Sequence, residues 1–172
     1  MFRNRKLKKV KLVLLDVDGV LTDGGVYYNE KGMEQKRFNV KDGSGIKMAV
    51  HAGIRFAVIT GRRSRIVDIR ARELDIHKVY QGALKKHLLL ERIMKDFRVS
   101  REETAFIADD IIDLELFRRV GFRVAVKDAV KEIRQMADLV TKQKGGYGAV
   151  RDFIEYLLKS KKLWKTARER YL

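Results

Sequence analysis

Short apolar runs alternate with longer amphipathic stretches along most of the chain. Near-continuous apolar runs of this kind are typical of strands that are buried on both faces of a sheet. Their alternation with helix-like stretches predicts a doubly wound α/β fold, in which helices cover both sides of a mainly parallel sheet. The predicted strands are Val10–Asp16, Ile54–Thr60, Lys78–Gln81, Thr104–Asp110, Phe122–Val126 and Asp138–Thr141.

The amphipathic stretches between these strands predict the helices. Ser64 stands at the N-cap position of a helix that runs to Leu74, and Gly121 ends another helix. Residues 84–97 carry apolar side chains on or near one face of a helix, and we expect that face to be buried. Its members are Leu84, Leu88, Leu89, Met94 and Phe97.

The segment that follows the first strand departs from this alternation. Two β-prone arms, Val26–Asn29 and Glu34–Phe38, lie on either side of a turn that contains Gly32. This pattern predicts a β-hairpin, which we call the flap, over about residues 24–38. Asp23 is expected to cap the turn that leads into it.

The chain has 172 residues, 45% of them hydrophobic, and a formal net charge of +16. This length and composition favour a single domain over residues 1–172. Much of the charge lies in residues 1–9 and 159–172, which we interpret as solvated basic tails and not as a nucleic-acid-binding surface. The absence of Cys fits a reducing compartment, and the N-terminal apolar run is too short for a secretion signal. We therefore expect a cytoplasmic protein with no nucleic-acid partner and no stable membrane association.

Acidic and polar residues follow three of the predicted strands. Asp16 and Asp18 follow the first strand, Thr60–Ser64 follows the second, and Ala108–Asp113 follows the fourth. Ligands of doubly wound sheets bind outside the carboxyl ends of the strands, so these residues mark the expected site. Residues two apart in an extended chain point the same way, which lets Asp16 and Asp18 face that site together.

Clustered carboxylates at this edge indicate a bound cation. Asp16 and Asp18, joined by Asp109 or Asp110, would repel one another unless a hard cation lay between them. An oxygen-only site with open positions suits Mg²⁺. For Asp110, a role in capping or outside the metal shell is the other interpretation.

Four motifs occur in an order and spacing that resembles the haloacid dehalogenase superfamily of phosphatases. They are DVDGVLTD (16–23), ITGR (59–62), a Lys within LKKH (84–87) and ADDIID (108–113). More narrowly, FNVKDGSGIK (38–47), YQG (80–82) and KGGYGAVRD (144–152) resemble the 3-deoxy-D-manno-octulosonate 8-phosphate phosphatases. This resemblance implies Mg²⁺-dependent hydrolysis of that sugar acid phosphate, through an aspartyl-phosphate intermediate, in lipopolysaccharide biosynthesis.

The resemblance also implies roles for individual residues. Asp16 matches the nucleophile, and Asp18 matches the group that protonates the leaving alkoxide and then activates water. Thr60 and a lysine would bind the phosphoryl oxygens. Both Lys85 and Lys86 are present, and the spacing favours Lys86 as the catalytic lysine.

The metal ligands implied by the resemblance are Asp16, the backbone carbonyl of Asp18, and Asp109. Asp113 would orient this shell from outside. Ala108 occupies a position that is usually glycine in the family, and we expect activity to survive this small change.

The resemblance implies the assembly, and residues beside the predicted site are the candidate substrate contacts. The gaps between the motifs are too short for a cap domain, which implies a homotetramer whose neighbouring flaps and tails cover each site. A sugar acid needs cations and hydrogen-bonding groups. Arg62, Asp42 and Ser44 are the predicted substrate contacts, and Arg63 and Lys41 are alternatives or plain surface cations.

Several alternatives stay open. The substrate can instead be a related nine-carbon sugar acid 9-phosphate, or a 3′-phosphate on DNA, and the chain can be a tetrameric scaffold without catalysis. The loop 144–148 either cradles phosphate or contacts a neighbouring subunit, and we favour the contact. Trp164 is expected to pack on a neighbouring subunit rather than to lie on a membrane. The isolated residues His51, His77 and His87 are interpreted as structural or exposed.

Overall fold

The computed structural model describes residues 2–169. The strands are β1 (Leu12–Leu15), β2 (Tyr27–Tyr28), β3 (Glu34–Gln35), β4 (Arg55–Ile59), β5 (Lys78–Tyr80), β6 (Thr104–Ala108), β7 (Phe122–Ala125) and β8 (Leu139–Val140). The α-helices are α1 (Phe2–Lys9), α2 (Val40–His51), α3 (Arg65–Glu73), α4 (Leu90–Phe97), α5 (Leu114–Phe117), α6 (Lys131–Met136), α7 (Ala149–Ser160) and α8 (Trp164–Arg168).

Six strands form one parallel sheet in the order β5-β4-β1-β6-β7-β8. The chain moves from β1 to β4 on one side, and β6 pairs with β1 on the other side, so β1 lies at the switch point of the sheet. Side chains of β1 and β6 are buried along their whole lengths, which explains why both sequences are apolar apart from Thr104 at the start of β6. The doubly wound fold and its six strands are confirmed, each within two residues at either end.

The flap is present as the antiparallel pair β2–β3, with Gly32 in its turn at a positive φ of 69°. An isolated bridge between Thr22 and Phe38 closes its base. Asp23 caps the entry as predicted, because its carboxylate accepts hydrogen bonds from the Gly25 amide and the Tyr27 hydroxyl. The flap therefore leaves the sheet directly after β1.

The prediction for residues 84–97 was wrong in its first half. Lys86–Leu89 forms a 3₁₀ turn before α4 begins, and Leu84 and Leu88 are exposed. In a 3₁₀ turn residues i and i+3 share a face, so the turn directs Lys86 and Leu89 inward and leaves Leu88 outside. The buried face of α4 consists of Leu90, Ile93 and Phe97.

The described parts of the basic ends are helices that pack on the core through their apolar residues, while most of their basic side chains are exposed. Leu7 of α1 is fully buried and Lys6 pairs with Asp138 across 3.2 Å. In α8, Ala167 is fully buried, and Trp164 packs against the core of its own chain. Apolar residues within these basic segments give each helix a buried face, which the net charge of the segment does not reveal. Residues 1 and 170–172 lie outside the described part of the chain.

None of the helices formed by residues 2–169 is long and apolar enough to span a lipid bilayer.

Candidate active site

The carboxyl ends of β1, β4 and β6 converge on one cavity of about 260 Å³. Asp16 follows β1, Thr60 follows β4, and Asp109 follows β6, so the three central strands each deliver one side chain. The other lining residues are Asp18, Gly24, Gly61, Arg62, Lys86, Asp110 and Ile112. The structure thus brings together most of the residues that the sequence pointed to.

Lys86 lies at the centre of this cluster. Its Nζ is 2.6 Å from Oδ1 of Asp16 and 2.6 Å from Oδ1 of Asp113, and all three side chains are almost fully buried. Lys85 is exposed. Of the two candidate lysines, Lys86 is therefore the one that faces the site.

Burial and mutual repulsion raise the pKa values of the acids. Burial is the main cause that raises the pKa of Asp109 to about 8, and the charge of Asp16 adds to it. Burial and Asp16 also raise the pKa of Asp113 to about 7. Burial raises the pKa of Asp16, although the ammonium of Lys86 opposes this. Burial by itself would lower the pKa of Lys86, but the two contacting carboxylates outweigh it and the pKa is raised.

This cluster fits a divalent cation. Oxygens of Asp16, Asp109 and Asp113 lie within 4.8 Å of one another. Oδ1 of Asp109 is buried and accepts no hydrogen bond within residues 2–169. Such an atom is costly to bury unless something binds it, and a hard cation such as Mg²⁺ prefers this all-oxygen donor set. One ammonium cannot neutralise all of these acids, so the cluster takes up either protons or a cation.

Gly19 allows the close approach on which the cluster depends. It adopts a φ of +87°, and a Cβ at this position would lie 2.0 Å from Oδ2 of Asp109. Ala108, at the position that is usually glycine, is fully buried in the core at the end of β6. Asp110 caps the next turn, because its side chain accepts a hydrogen bond from the Ile111 amide at 2.6 Å.

The loop 144–148 packs on residues 19–23 of its own chain, and its contact with a neighbouring subunit stays a prediction. A Cβ on Gly145 would lie 1.6 Å from the carbonyl oxygen of Gly19, which leaves no room for a side chain. The amide of Gly146 donates a hydrogen bond to the carbonyl of Val20 across 3.0 Å. Because these glycines have no side chains, the backbone of the loop can contact the backbone at Gly19 and Val20 directly.

The flap contacts the other side of the cavity through residues that the sequence reasoning missed. Lys36 Nζ lies 2.5 Å from Oδ1 of Asp18, and Glu34 accepts a hydrogen bond from Arg62 across 2.8 Å. Ser64 donates its hydroxyl to Glu34 instead of capping α3. The available signal was the spacing: Glu34 and Lys36 are two apart on one face of a β arm.

Two predicted substrate contacts lie elsewhere. Asp42 is buried under the start of α7, where it accepts hydrogen bonds from the amides of Gly148 and Arg151. Burial outweighs these bonds and raises the pKa of Asp42 to about 6. Ser44 donates to the carbonyl of Val40 within α2 and borders a different cavity. Both residues belong to α2, and neither lines the cavity at the strand ends, although both stand in a family-like motif.

Comparisons with known proteins agree with this geometry. Residues 68–154 match the family model of the haloacid dehalogenase-like hydrolases. The chain is 40% identical, over 89% of its length and 81% of the relative, to the 3-deoxy-D-manno-octulosonate 8-phosphate phosphatase KdsC of Escherichia coli strain K12.

Solved structures give the same result. The Moraxella catarrhalis phosphatase of that name, in complex with a magnesium ion, a phosphate ion and a KDO molecule, superposes with a TM-score of 0.95 and 37% identity, covering 99% of this chain and 98% of that one. A cobalt-bound form of the Haemophilus influenzae phosphatase superposes with a TM-score of 0.89 and 40% identity, covering 92% of this chain and 93% of that one. The chain therefore belongs to the haloacid dehalogenase-like hydrolases and, within them, to the family of 3-deoxy-D-manno-octulosonate 8-phosphate phosphatases.

Proposed function

We propose that this protein is a Mg²⁺-dependent phosphatase that hydrolyses 3-deoxy-D-manno-octulosonate 8-phosphate to the free sugar acid and phosphate, a step in lipopolysaccharide biosynthesis. The observation that carries the proposal is the buried contact of Lys86 with Asp16 and Asp113, beside Asp109, at the ends of β1 and β6. Relatives that share 37–40% of the sequence are phosphatases of this substrate, which supports the same choice here.

In the proposed reaction, Asp16 is the nucleophile. Its carboxylate oxygen forms a bond to phosphorus while the bond from phosphorus to the sugar oxygen breaks, which gives an aspartyl-phosphate. Asp18 gives a proton to the departing sugar oxygen and then takes one from the water that hydrolyses the intermediate. The Thr60 hydroxyl and the Lys86 ammonium bind the equatorial phosphoryl oxygens, where transition-state charge collects.

Asp16, Asp109 and the backbone carbonyl of Asp18 are the proposed ligands of Mg²⁺. When bound, this ion supplies positive charge beside a dianionic phosphate. Asp113 holds the ammonium of Lys86 at 2.6 Å and thereby orients it toward the nucleophile.

Arg62 is the proposed contact for the sugar carboxylate. It lines the cavity, and its side chain is 42% exposed, so it can reach a bound ligand. Guanidinium groups bind carboxylates through paired hydrogen bonds. Arg63 and Lys41 stay as alternatives, whereas the positions of Asp42 and Ser44 argue against direct contact with substrate in this cavity.

A homotetramer and a cytoplasmic location stay predictions. Large apolar side chains of the flap are exposed, which supports an interface there: Val26, Tyr27, Tyr28 and Met33. Light scattering of the purified protein would measure the number of subunits, and a monomer would contradict the tetramer.

The test is phosphate release from a panel of esters with Mg²⁺. We expect the highest kcat/KM with 3-deoxy-D-manno-octulosonate 8-phosphate, below it the nine-carbon sugar acid 9-phosphate, and little or no activity with a DNA 3′-phosphate. Asp16→Asn should lower turnover by about 10⁴-fold or more, since no other group replaces the nucleophile. A matched control is Asp75→Asn, which changes an exposed acid in the turn between α3 and β5, at the opposite edge of the sheet.

Each outcome separates the alternatives. A higher kcat/KM for the nine-carbon ester would reassign the substrate and keep the mechanism. Undiminished turnover by Asp16→Asn would refute the assignment of Asp16 as the nucleophile. No Mg²⁺-dependent turnover of any ester by the folded wild type would favour the scaffold.

A further inference from the structure

The flap places one ammonium group directly on Asp18. Lys36 Nζ lies 2.5 Å from Oδ1 of Asp18, a residue 18 positions earlier in the chain. Arg62 approaches the other oxygen, Oδ2, no closer than 3.9 Å, which is beyond hydrogen-bond distance. One oxygen of Asp18 is therefore anchored, and the other stays available to the cavity that Asp18 lines.

This contact belongs to a built arrangement and not to a pair of mobile surface chains. The side chain of Lys36 is only 3% exposed, although it comes from a hairpin. Glu34, on the same face of the arm, lies 3.2 Å from Lys36 and also binds Arg62 and Ser64. A buried ammonium is costly unless its partners hold it, and here both partners are carboxylates at the mouth of the site.

We propose that Lys36 is a positioning residue that holds Asp18 in place for proton transfer to the leaving group. The inference rests on the proposed phosphatase function. A carboxylate on a short side chain still rotates about two bonds, and fixing Oδ1 restricts that rotation. The flap thus contributes to the chemistry through Asp18 and does more than cover the cavity.

The proton balance of the step is simple. As the bond from phosphorus to the sugar oxygen breaks, protonated Asp18 gives its proton to that oxygen and becomes a carboxylate. Lys36 keeps all of its protons throughout and holds the other oxygen. In the second half of the reaction, the anchored Asp18 carboxylate takes a proton from water.

The experiment compares leaving groups. An alkoxide leaves phosphorus only with a proton, whereas 4-nitrophenolate is stable without one. Lys36→Met should therefore lower kcat/KM for the sugar phosphate by about 10- to 100-fold, but for 4-nitrophenyl phosphate by less than about threefold. Lys31→Met is the matched control: it removes the same charge from an exposed residue at the tip of the same flap, and both rates should stay unchanged.

Two further measurements exclude a merely structural role. Lys36→Arg should recover part of the rate with the sugar phosphate, because a guanidinium can still donate to Oδ1. In the Asp18→Asn background, Lys36→Met should cause almost no additional loss, since the group that it positions is already gone. Melting temperatures of all variants show whether each one is folded.

The inference and the proposed function can fail separately. An equal loss for both esters, or no loss for either, would overturn the role of Lys36 while the phosphatase assignment stands. A wild type that hydrolyses glycerol 2-phosphate but not the sugar acid phosphate would refute the proposed substrate. The role of Lys36 would then be tested by comparing the loss of kcat/KM for glycerol 2-phosphate with the loss for 4-nitrophenyl phosphate.

Discussion

The two sides of the cavity are held in different ways. On one side, Asp16, Lys86, Asp109 and Asp113 are attached to strand ends or to the turns that follow them, and Asp16, Lys86 and Asp113 are almost fully buried. On the other side, Asp18 meets a short hairpin whose ion pairs are partly open to solvent. We refer to these as the strand-end half and the flap half of the site.

The strand-end half is electrostatically costly. Burial raises the pKa values of Asp109 and Asp113 to about 8 and about 7, which means that their ionised forms are disfavoured in the metal-free chain. Buried ion pairs are weak evidence for stability, because removing the charges from water offsets most of their attraction. Reactivity toward phosphate and a cation explains this half better than a contribution to folding does.

The flap half is more open to solvent. Arg62 is 42% exposed and Asp18 29% exposed, so the contact between them is screened, although the side chain of Lys36 on Oδ1 of Asp18 is only 3% exposed. Under the proposed function, the phosphoryl group would meet the strand-end half, and the leaving group and the sugar would meet the flap half. The sheet would then position the groups that react with phosphorus, and the flap would position the groups that contact the rest of the substrate.

The largest expected effect comes from removing the ammonium group of Lys86 from the strand-end half. Lys86→Met should lower kcat with the sugar phosphate by about 10³-fold, because the transition-state charge and the orientation of Asp16 both depend on the ammonium. Lys85→Met is the matched control and should change kcat by less than about twofold, since Lys85 is exposed. Steady-state kinetics with folded variants would measure both.

A reversal of these two effects would assign the catalytic role to Lys85. It would also mean that the buried contact of Lys86 with Asp16 and Asp113 is structural. In that case the division between the two halves would lose its main support.

A smaller effect concerns Mg²⁺ affinity and pH. The acids with raised pKa values, Asp109 and Asp113, carry protons below about pH 7 and lose them as the pH rises toward 8. Mg²⁺ would bind the ionised carboxylate of Asp109, and its charge would favour ionisation of the neighbouring Asp113, so these protons must be displaced at low pH. We therefore expect affinity to rise by at least about tenfold between pH 6 and pH 8 and to level off above that range.

Calorimetry in two buffers of different ionisation enthalpy would measure the affinity and the number of protons released. Asp109→Asn should remove most of the binding. An affinity that is constant from pH 6 to pH 8, with no proton release, would show that these carboxylates are already ionised and that the strand-end half is less costly than its burial implies.

Much of the strand-end half was predictable from sequence, and so were Asp18 and Arg62, whereas the contacts that the flap makes with these two residues were not. Hydrophobic runs located the strands, and parallel strands bring their carboxyl ends to one edge, so Asp16, Thr60 and Asp109 could be placed together. The spacing after YQG already favoured Lys86 over Lys85, and the 3₁₀ turn at Lys86–Leu89 is what directs the Lys86 side chain inward.

The contacts of the flap depend on how a hairpin folds back over the sheet. Neither periodicity nor composition fixes that angle, and therefore Lys36 and Glu34 went unnoticed. Asp42 was misplaced for a related reason: it stands in a family-like motif, but tertiary packing directs its carboxylate to the start of α7. Similarly, the net charge of the ends concealed the apolar faces of α1 and α8.

The smallest expected effect is a difference between the two halves in how the rate of amide hydrogen exchange responds to salt. Partly exposed ion pairs are screened as the ionic strength rises, whereas buried ones respond little. Raising NaCl from about 50 mM to about 500 mM should therefore speed amide hydrogen exchange in the flap, residues 24–38, by about two- to fivefold and leave β1 and β6 unchanged. Mass spectrometry of peptides from the same sample would compare these regions directly.

Glu34→Gln sharpens this test. Glu34 joins Lys36, Arg62 and Ser64, so its loss should speed flap exchange at low salt and remove most of the response to added salt. Gln35, the exposed neighbour on the opposite face of β3, offers the control Gln35→Ala, which should keep the wild-type response. If flap exchange ignored salt in the wild type, the buried ammonium of Lys36 would dominate the flap's attachment, and the two halves would be held by the same kind of contact.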